Sequence, residues 1–369
     1  MNIQVVNVKY KICMSIHMNA KILYIGVLLL IVVVGIFVYF EFLGHHTVTP
    51  THTQVPLNET FSGPLTIYVA DAYTQEASFL LNASGIPGVV KGGGSYSLAR
   101  EISQGVPVSV FMPVASSAAQ ENFLGEQYPG WVIAFVEDQL VIAYSNATLK
   151  NPTAMNIVTL FSQALKTNSS KLYYYAFSNL TSGKVKIGIS DPASDPAGGR
   201  ALVAFEIAGY LYANHSTNYF INNMIKNQAN VTASNAAELV SPLESGDIQF
   251  LFIYKSAAIA KGLNYITLPA WINQGDQQYS SFYSQFYYTV GVNKIYGAPI
   301  YLYVTIPKYP LDYEEALNFT VFVIEHASLL SKFGLTPLSH PILFVYNSSE
   351  VPGEINNLVQ EGVLTEQPA

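Results

Sequence analysis

From Leu65 onward, short apolar runs alternate with segments whose apolar positions recur roughly every three or four residues, the periods of strands and amphipathic helices. Residues 65–70, 108–112, 131–135, 139–144, 184–189, 248–254 and 300–306 predict strands. Residues 74–82, 98–103, 156–166, 200–214, 236–243 and 313–330 predict helices. Strand and helix in alternation imply an α/β architecture with open, mostly parallel sheets. No short-period repeat is visible, which argues against a solenoid or propeller.

Upstream the pattern is different. Residues 22–40 form an uncharged apolar run of 19, enough to cross a bilayer as one helix. Lys9, Lys11 and Lys21 precede the run, and Glu41, His45 and His46 follow it. The positive-inside rule then places the N-terminus in the cytoplasm and the rest outside. A signal peptide has a shorter apolar core and a shorter basic region, so an uncleaved single-pass anchor is the reading taken. Residues 44–64 are rich in Thr, Pro and His and read as an extended tether; His45, His46 and His52 are taken as spacer rather than as metal ligands.

Composition sharpens the picture. Nine N-x-S/T sequons, at Asn58, Asn82, Asn146, Asn168, Asn179, Asn214, Asn230, Asn318 and Asn347, all follow the apolar run and suggest a glycosylated extracellular surface. Charged residues are only 11% of the chain, and the net charge is −7. So few cations exclude a nucleic-acid-binding face. A single cysteine, Cys13, excludes a disulfide scaffold. There is no G-x-S-x-G and no H-E-x-x-H, and His215, His326 and His340 stand alone, so a binding protein is expected rather than an enzyme.

Three strand-to-helix junctions have the composition of anion sites. Lys91-Gly-Gly-Gly-Ser95 precedes a helix, and glycines with a capping serine leave amides and the helix dipole free for a negative ligand. In Ser190-Asp-Pro-Ala-Ser-Asp195-Pro196 the aspartate and proline mark a helix start. Ser234-Asn-Ala-Ala-Glu238 places a carboxylate in a first turn. Taken alone, each is equally explained by ordinary capping.

At these junctions the chain resembles the archaeal tungstate/molybdate-binding proteins, the extracellular component of an ABC importer. Trp131-Val-Ile-Ala-Phe with Asp138-Gln-Leu-Val-Ile-Ala-Tyr144 is similar to the family's strand pair. Ile187-Gly-Ile-Ser-Asp191 with Ser194-Asp-Pro-Ala-Gly-Gly-Arg200 resembles its signature, and Leu243-Glu-Ser-Gly with Phe250-Leu-Phe-Ile-Tyr254-Lys-Ser resembles another of its segments. The likeness runs collinearly over residues 65–345.

The resemblance implies a two-lobed periplasmic-binding-protein type II fold behind the N-terminal transmembrane helix. The expected organisation is a cytoplasmic tail (1–21), an anchor (22–43), a linker (44–63), lobe I (64–145 and 297–369) and lobe II (146–296). It implies an oxyanion ligand held between the lobes, no further cofactor, an ABC transporter permease as partner and a monomer. Residue by residue, it gives Ser95 a hydrogen bond to the oxyanion, and Asp195 and Glu238 carboxylate oxygens for the tungsten or molybdenum. Tyr254 would close on the anion. A hard, high-valent metal suits oxygen donors, whereas sulfate cannot expand its coordination. Ala72 stands where the family has a serine, leaving a backbone N–H or Thr74 as the contact there. Asp71 stands where the family has a small residue and adds negative charge. The register at Ala236 and Glu238 is open by a couple of residues, and one register lacks the second carboxylate.

Overall fold

A computed structural model describes residues 63–368. The apolar run at 22–40, the tether and its histidines lie outside the described residues. Among the described residues no helix is long and apolar enough to cross a membrane.

Strand β1 (Leu65–Ala70) is flanked in parallel by β2 (Gly88–Gly93) and β3 (Val110–Met112). Strand β4 (Trp131–Asp138) follows, and after a single residue β5 (Leu140–Tyr144) begins. Next come β6 (Ile187–Gly188), β7 (Asn230–Val231), β8 (Phe250–Tyr254) and β9 (Asn264–Thr267). They form a five-stranded sheet in the order β7-β6-β8-β5-β9. A hairpin of β10 (Tyr287–Val290) and β11 (Asn293–Tyr296) precedes β12 (Ile300–Val304), β13 (Thr336–Val345) and β14 (Thr365–Pro368). Strand β12 returns to β4 in a sheet ordered β12-β4-β13-β14. A bridge from Phe111 to Thr305 joins that sheet to the first one. The molecule thus has one half built on the first and last strands and another built on the five-stranded sheet, here called the first and second lobes.

The chain crosses between the lobes at Gln139, so Leu140–Tyr144, expected at the end of the first lobe, is paired into the sheet of the second. The sheets are also more mixed than expected. Strand β4 is antiparallel to both its neighbours, as is β5. The β4–β5 crossing through Gln139 is too short for a βαβ crossover, so the two strands serve two different sheets.

Helix starts follow their local sequence. Asn151 with Pro152, Asp195 with Pro196, and Asp312 each place a side-chain acceptor on the first free amides. The helix Pro196–Tyr212 is buried on all sides from Pro196 to Gly209, packed between the second lobe's sheet and its outer helices. The segment 236–243, expected as one helix, is a 3₁₀ turn (Ala237–Leu239) leading into Val240–Ser245. Strand β2 and the helices Ser170–Leu180 and Tyr219–Lys226 were not anticipated.

Candidate functional site

Asp138 lies buried where the chain crosses between lobes. Its carboxylate accepts from Tyr73 Oη in the first lobe (3.1 Å) and from Ser256 Oγ in the second (2.5 Å). Burial raises its pKa and these donors hold it down. On the same side, Tyr73 stacks on Tyr254 at the end of β8, centroids 5.8 Å apart. The crossing is therefore a tied node from which the two lobes face each other.

Three turns meet across that face. Gly94 caps the helix Ser95–Ser103, and the amides of Tyr96 and Ser97 donate to the Ser194 carbonyl of the other lobe (3.2 and 3.4 Å). The Arg100 Nη2 donates to the neighbouring Ala193 carbonyl (2.9 Å). The amides expected to be free for a ligand are thus taken by the opposing backbone. The glycines serve close approach: a Cβ on Gly92 would lie 2.2 Å from Thr74 Oγ1, and one on Gly94 2.4 Å from the Ser194 carbonyl and 3.3 Å from Asp195 Cβ. Ser95 is fully buried, its Oγ accepts from the Val114 amide (3.1 Å), and its own proton remains for donation.

Asp195 is 1% exposed. One oxygen caps its own helix at the Ala197 amide (3.1 Å), and the other accepts from the Ala236 amide (3.0 Å). Burial first, and the Asp71 charge second, push its carboxyl up to about 7, while the Ser190 hydroxyl and both amides work against the rise. Asp71, from the first lobe, is half-buried and accepts from the Ala237 amide across the seam (2.9 Å). Its pKa is also raised by burial and is held down by the amides of Ala237 and Ala72. Ala72 therefore sits at the seam through its backbone, while Thr74 Oγ1 turns to the Asp71 carbonyl (2.9 Å).

Glu238 does not join this group. Its carboxylate accepts from Ser234 Oγ (2.6 Å) and Asn235 Nδ2 (3.0 Å) in its own exposed turn. Glu238 stands in the 3₁₀ turn Ala237–Leu239. It lines, with Asp71, Thr74, Gly92 and Lys261, a cavity of about 570 Å³ at the outer mouth of the seam.

At the seam the buried Tyr254 Oη has no hydrogen-bond partner among the described residues, and the buried Ser190 Oγ faces the Asp195 carboxylate. A buried polar group left as Tyr254 is costs about 1–3 kcal/mol, so its hydroxyl is a donor without an acceptor. Burial, and then the Asp195 charge, raise the Tyr254 phenol well above its ordinary value, which keeps it protonated. Beneath them Arg200 is 7% exposed and donates only to Gln274 Oε1 and the carbonyls of Tyr296 and Ala298. Burial raises the phenols of Tyr254, Tyr96 and Tyr303, and the Arg200 charge works against that rise. Ser190 and Arg200 stand in the signature segment, and the resemblance gives neither a role. A usable signal was that Arg100 and Arg200 are the chain's only arginines, and both lie at this seam.

The chain matches the family described as bacterial extracellular solute-binding protein over residues 60–336. It is 44% identical over 312 residues to an uncharacterized solute-binding protein of Sulfurisphaera tokodaii, covering 82% of each chain. It is 26% identical over 288 residues to the molybdate/tungstate-binding protein of Pyrococcus abyssi, covering 72% of this chain and 78% of that one. Among solved structures, the fold is similar to the periplasmic molybdate-binding protein of Azotobacter vinelandii. The TM-score is 0.51 at 15% identity, covering 74% of this chain and 98% of that one.

Proposed function

The chain belongs to the bacterial extracellular solute-binding protein family, and from that premise we propose that it captures tungstate or molybdate at the seam between its lobes for delivery to the permease of an ABC importer. The observation that carries this reading is the buried, partnerless Tyr254 hydroxyl, with the Ser190 hydroxyl close by, beside an arginine that no carboxylate among the described residues neutralises. Donors without acceptors, backed by a desolvated cation, are complementary to an oxyanion. The Pyrococcus abyssi relative, named as a molybdate/tungstate-binding protein, supports the same ligand. Ser95 would add a third hydroxyl, and Asp195 a carboxylate oxygen to the metal of the anion. The amides of Tyr96 and Ser97 already have an acceptor, so the side chains carry the recognition.

The test is a series of thermal melts of the full chain with tungstate, molybdate, sulfate or phosphate. A ligand at one hundred times its Kd adds roughly 2.7 kcal/mol, a rise of several degrees. A rise with tungstate or molybdate and none with sulfate is the expected result; equal rises with sulfate sink the metal-ligation part.

A second reading, a larger polar solute, is favoured by the cavity of about 570 Å³ at the outer mouth, far roomier than a tetrahedral anion needs. A flat response to every anion would move the search there. We further propose that residues 22–43 anchor a monomer in the membrane with its binding lobes outside and glycosylated. Of the eight sequon asparagines among the described residues, all but the half-buried Asn179 are exposed, as glycan attachment requires.

A further inference from the structure

Two consecutive amides, Ala236 N–H and Ala237 N–H, each donate to a carboxylate, and the two carboxylates come from opposite lobes. Ala236 holds Asp195 Oδ2 at 3.0 Å and Ala237 holds Asp71 Oδ2 at 2.9 Å. Two consecutive peptide units therefore set the two acidic groups side by side. The approach is built into the backbone. Gly92 packs so closely that a Cβ there would touch the Asp71 Cα at 3.4 Å, and Gly94 is pressed against Asp195. Lys261 is the cation nearest Asp71, and it lies at the outer mouth.

We infer that Asp71, reaching over from the first lobe, is the second carboxylate of the ligand site in place of Glu238, and that it makes the site selective for an oxyanion whose central atom accepts carboxylate oxygens. This rests on the oxyanion reading above. Like charges brought together by closure repel; the Ala236 and Ala237 amides offset part of this, and a bound species that offers both carboxylates a partner relieves the rest. A tetrahedral anion with a saturated centre, such as sulfate, offers none and adds its own two charges. A tungsten or molybdenum centre takes oxygen donors and turns the pair into ligands. Because the two acids sit on different lobes, one ligand contacting both also holds the lobes closed. Glu238 has its carboxylate committed to Ser234 and Asn235 and stays outside.

The experiment is titration calorimetry of the full chain and of Asp71→Asn and Glu238→Gln, with sodium tungstate and, separately, sodium sulfate. Asp71→Asn keeps an acceptor for the Ala237 amide while removing the charge; Asp71→Ser serves if the asparagine chain does not melt cooperatively. The expected result is at least a tenfold loss of tungstate affinity and a gain in sulfate affinity at position 71, with Glu238→Gln within twofold of the parent. The inference is overturned if Asp71→Asn binds tungstate as the parent does, or if Glu238→Gln is the variant that loses it. A parent that binds neither anion overturns the oxyanion reading itself, and with it the inference.

Discussion

Asp195 joins two helix starts with one side chain, an oxygen to each. Capping alone would explain the first bond; the second, to Ala236, comes from a turn 41 residues away in sequence. The two roles separate by substitution. Asparagine is itself a good cap, but its NH2 would face the Ala236 amide, so Asp195→Asn is expected to cost about 1–3 kcal/mol of stability while lowering tungstate affinity more than tenfold. Asp195→Ala orphans two buried amides as well and is expected to cost about 2 kcal/mol or more in melting experiments. Equal affinity in the Asn variant and the parent would leave Asp195 as a cap only. The capping role was legible from Asp-Pro; the bridging role depends on a partner that no local pattern names.

The helix Thr74–Ser84 carries the clearest pH-sensitive group. Glu76 is fully buried, and neither carboxylate oxygen has a hydrogen-bond partner. Burial, with Asp138 adding to it, pushes its pKa up to about 7 from an ordinary 4.5, against its own amide and Lys261. The folded chain therefore holds this proton more tightly than the unfolded chain. The stability it confers is complete below about pH 4.5 and is lost as pH rises through about 7. A shift of this size corresponds to roughly 3 kcal/mol. Glu76→Gln is expected to melt close to the parent at pH 5 and several degrees above it at pH 8; parallel pH profiles would show that Glu76 stays solvated. At the same scale, β2 shows how an element escapes sequence reading. Its sequence, Gly-Val-Val-Lys-Gly-Gly, has poor strand propensity. Parallel pairing to β1 makes it a strand, and the close approach of Leu65, Thr74 and Leu98 makes its glycines necessary.

Across the whole molecule, the lobes meet through the amides of Tyr96 and Ser97 on the Ser194 carbonyl, through Arg100 on the Ala193 carbonyl, and through Asp71 on the Ala237 amide. These bonds cross the seam and tie no lobe internally. Arg100→Ala is therefore expected to leave the ligand-free melting temperature within about a degree, because an exposed residue of this kind contributes little to the fold. Its tungstate dissociation rate is expected to rise severalfold, as stopped-flow fluorescence with the chain's tryptophans would report. A large loss of melting temperature would instead make the contact part of the fold. Much was legible in the sequence: the strands at 65–70, 131–135 and 139–144, the helix expected at 313–330, which ends at Glu325 and passes into a 3₁₀ segment, the Asp195-Pro196 helix start, and the motif letters that point to the solute-binding family. These are local regularities, set by how each stretch of chain buries its own apolar face and satisfies its own amides. The meeting of Asp71 with the Ala237 amide, the capture of the Tyr96 and Ser97 amides, the surroundings of Arg200 and the antiparallel pairing of β4 and β5 were decided only in three dimensions. Each depends on which group from a distant segment arrives opposite, and a buried charge or donor takes its meaning from that neighbour rather than from its place in the chain.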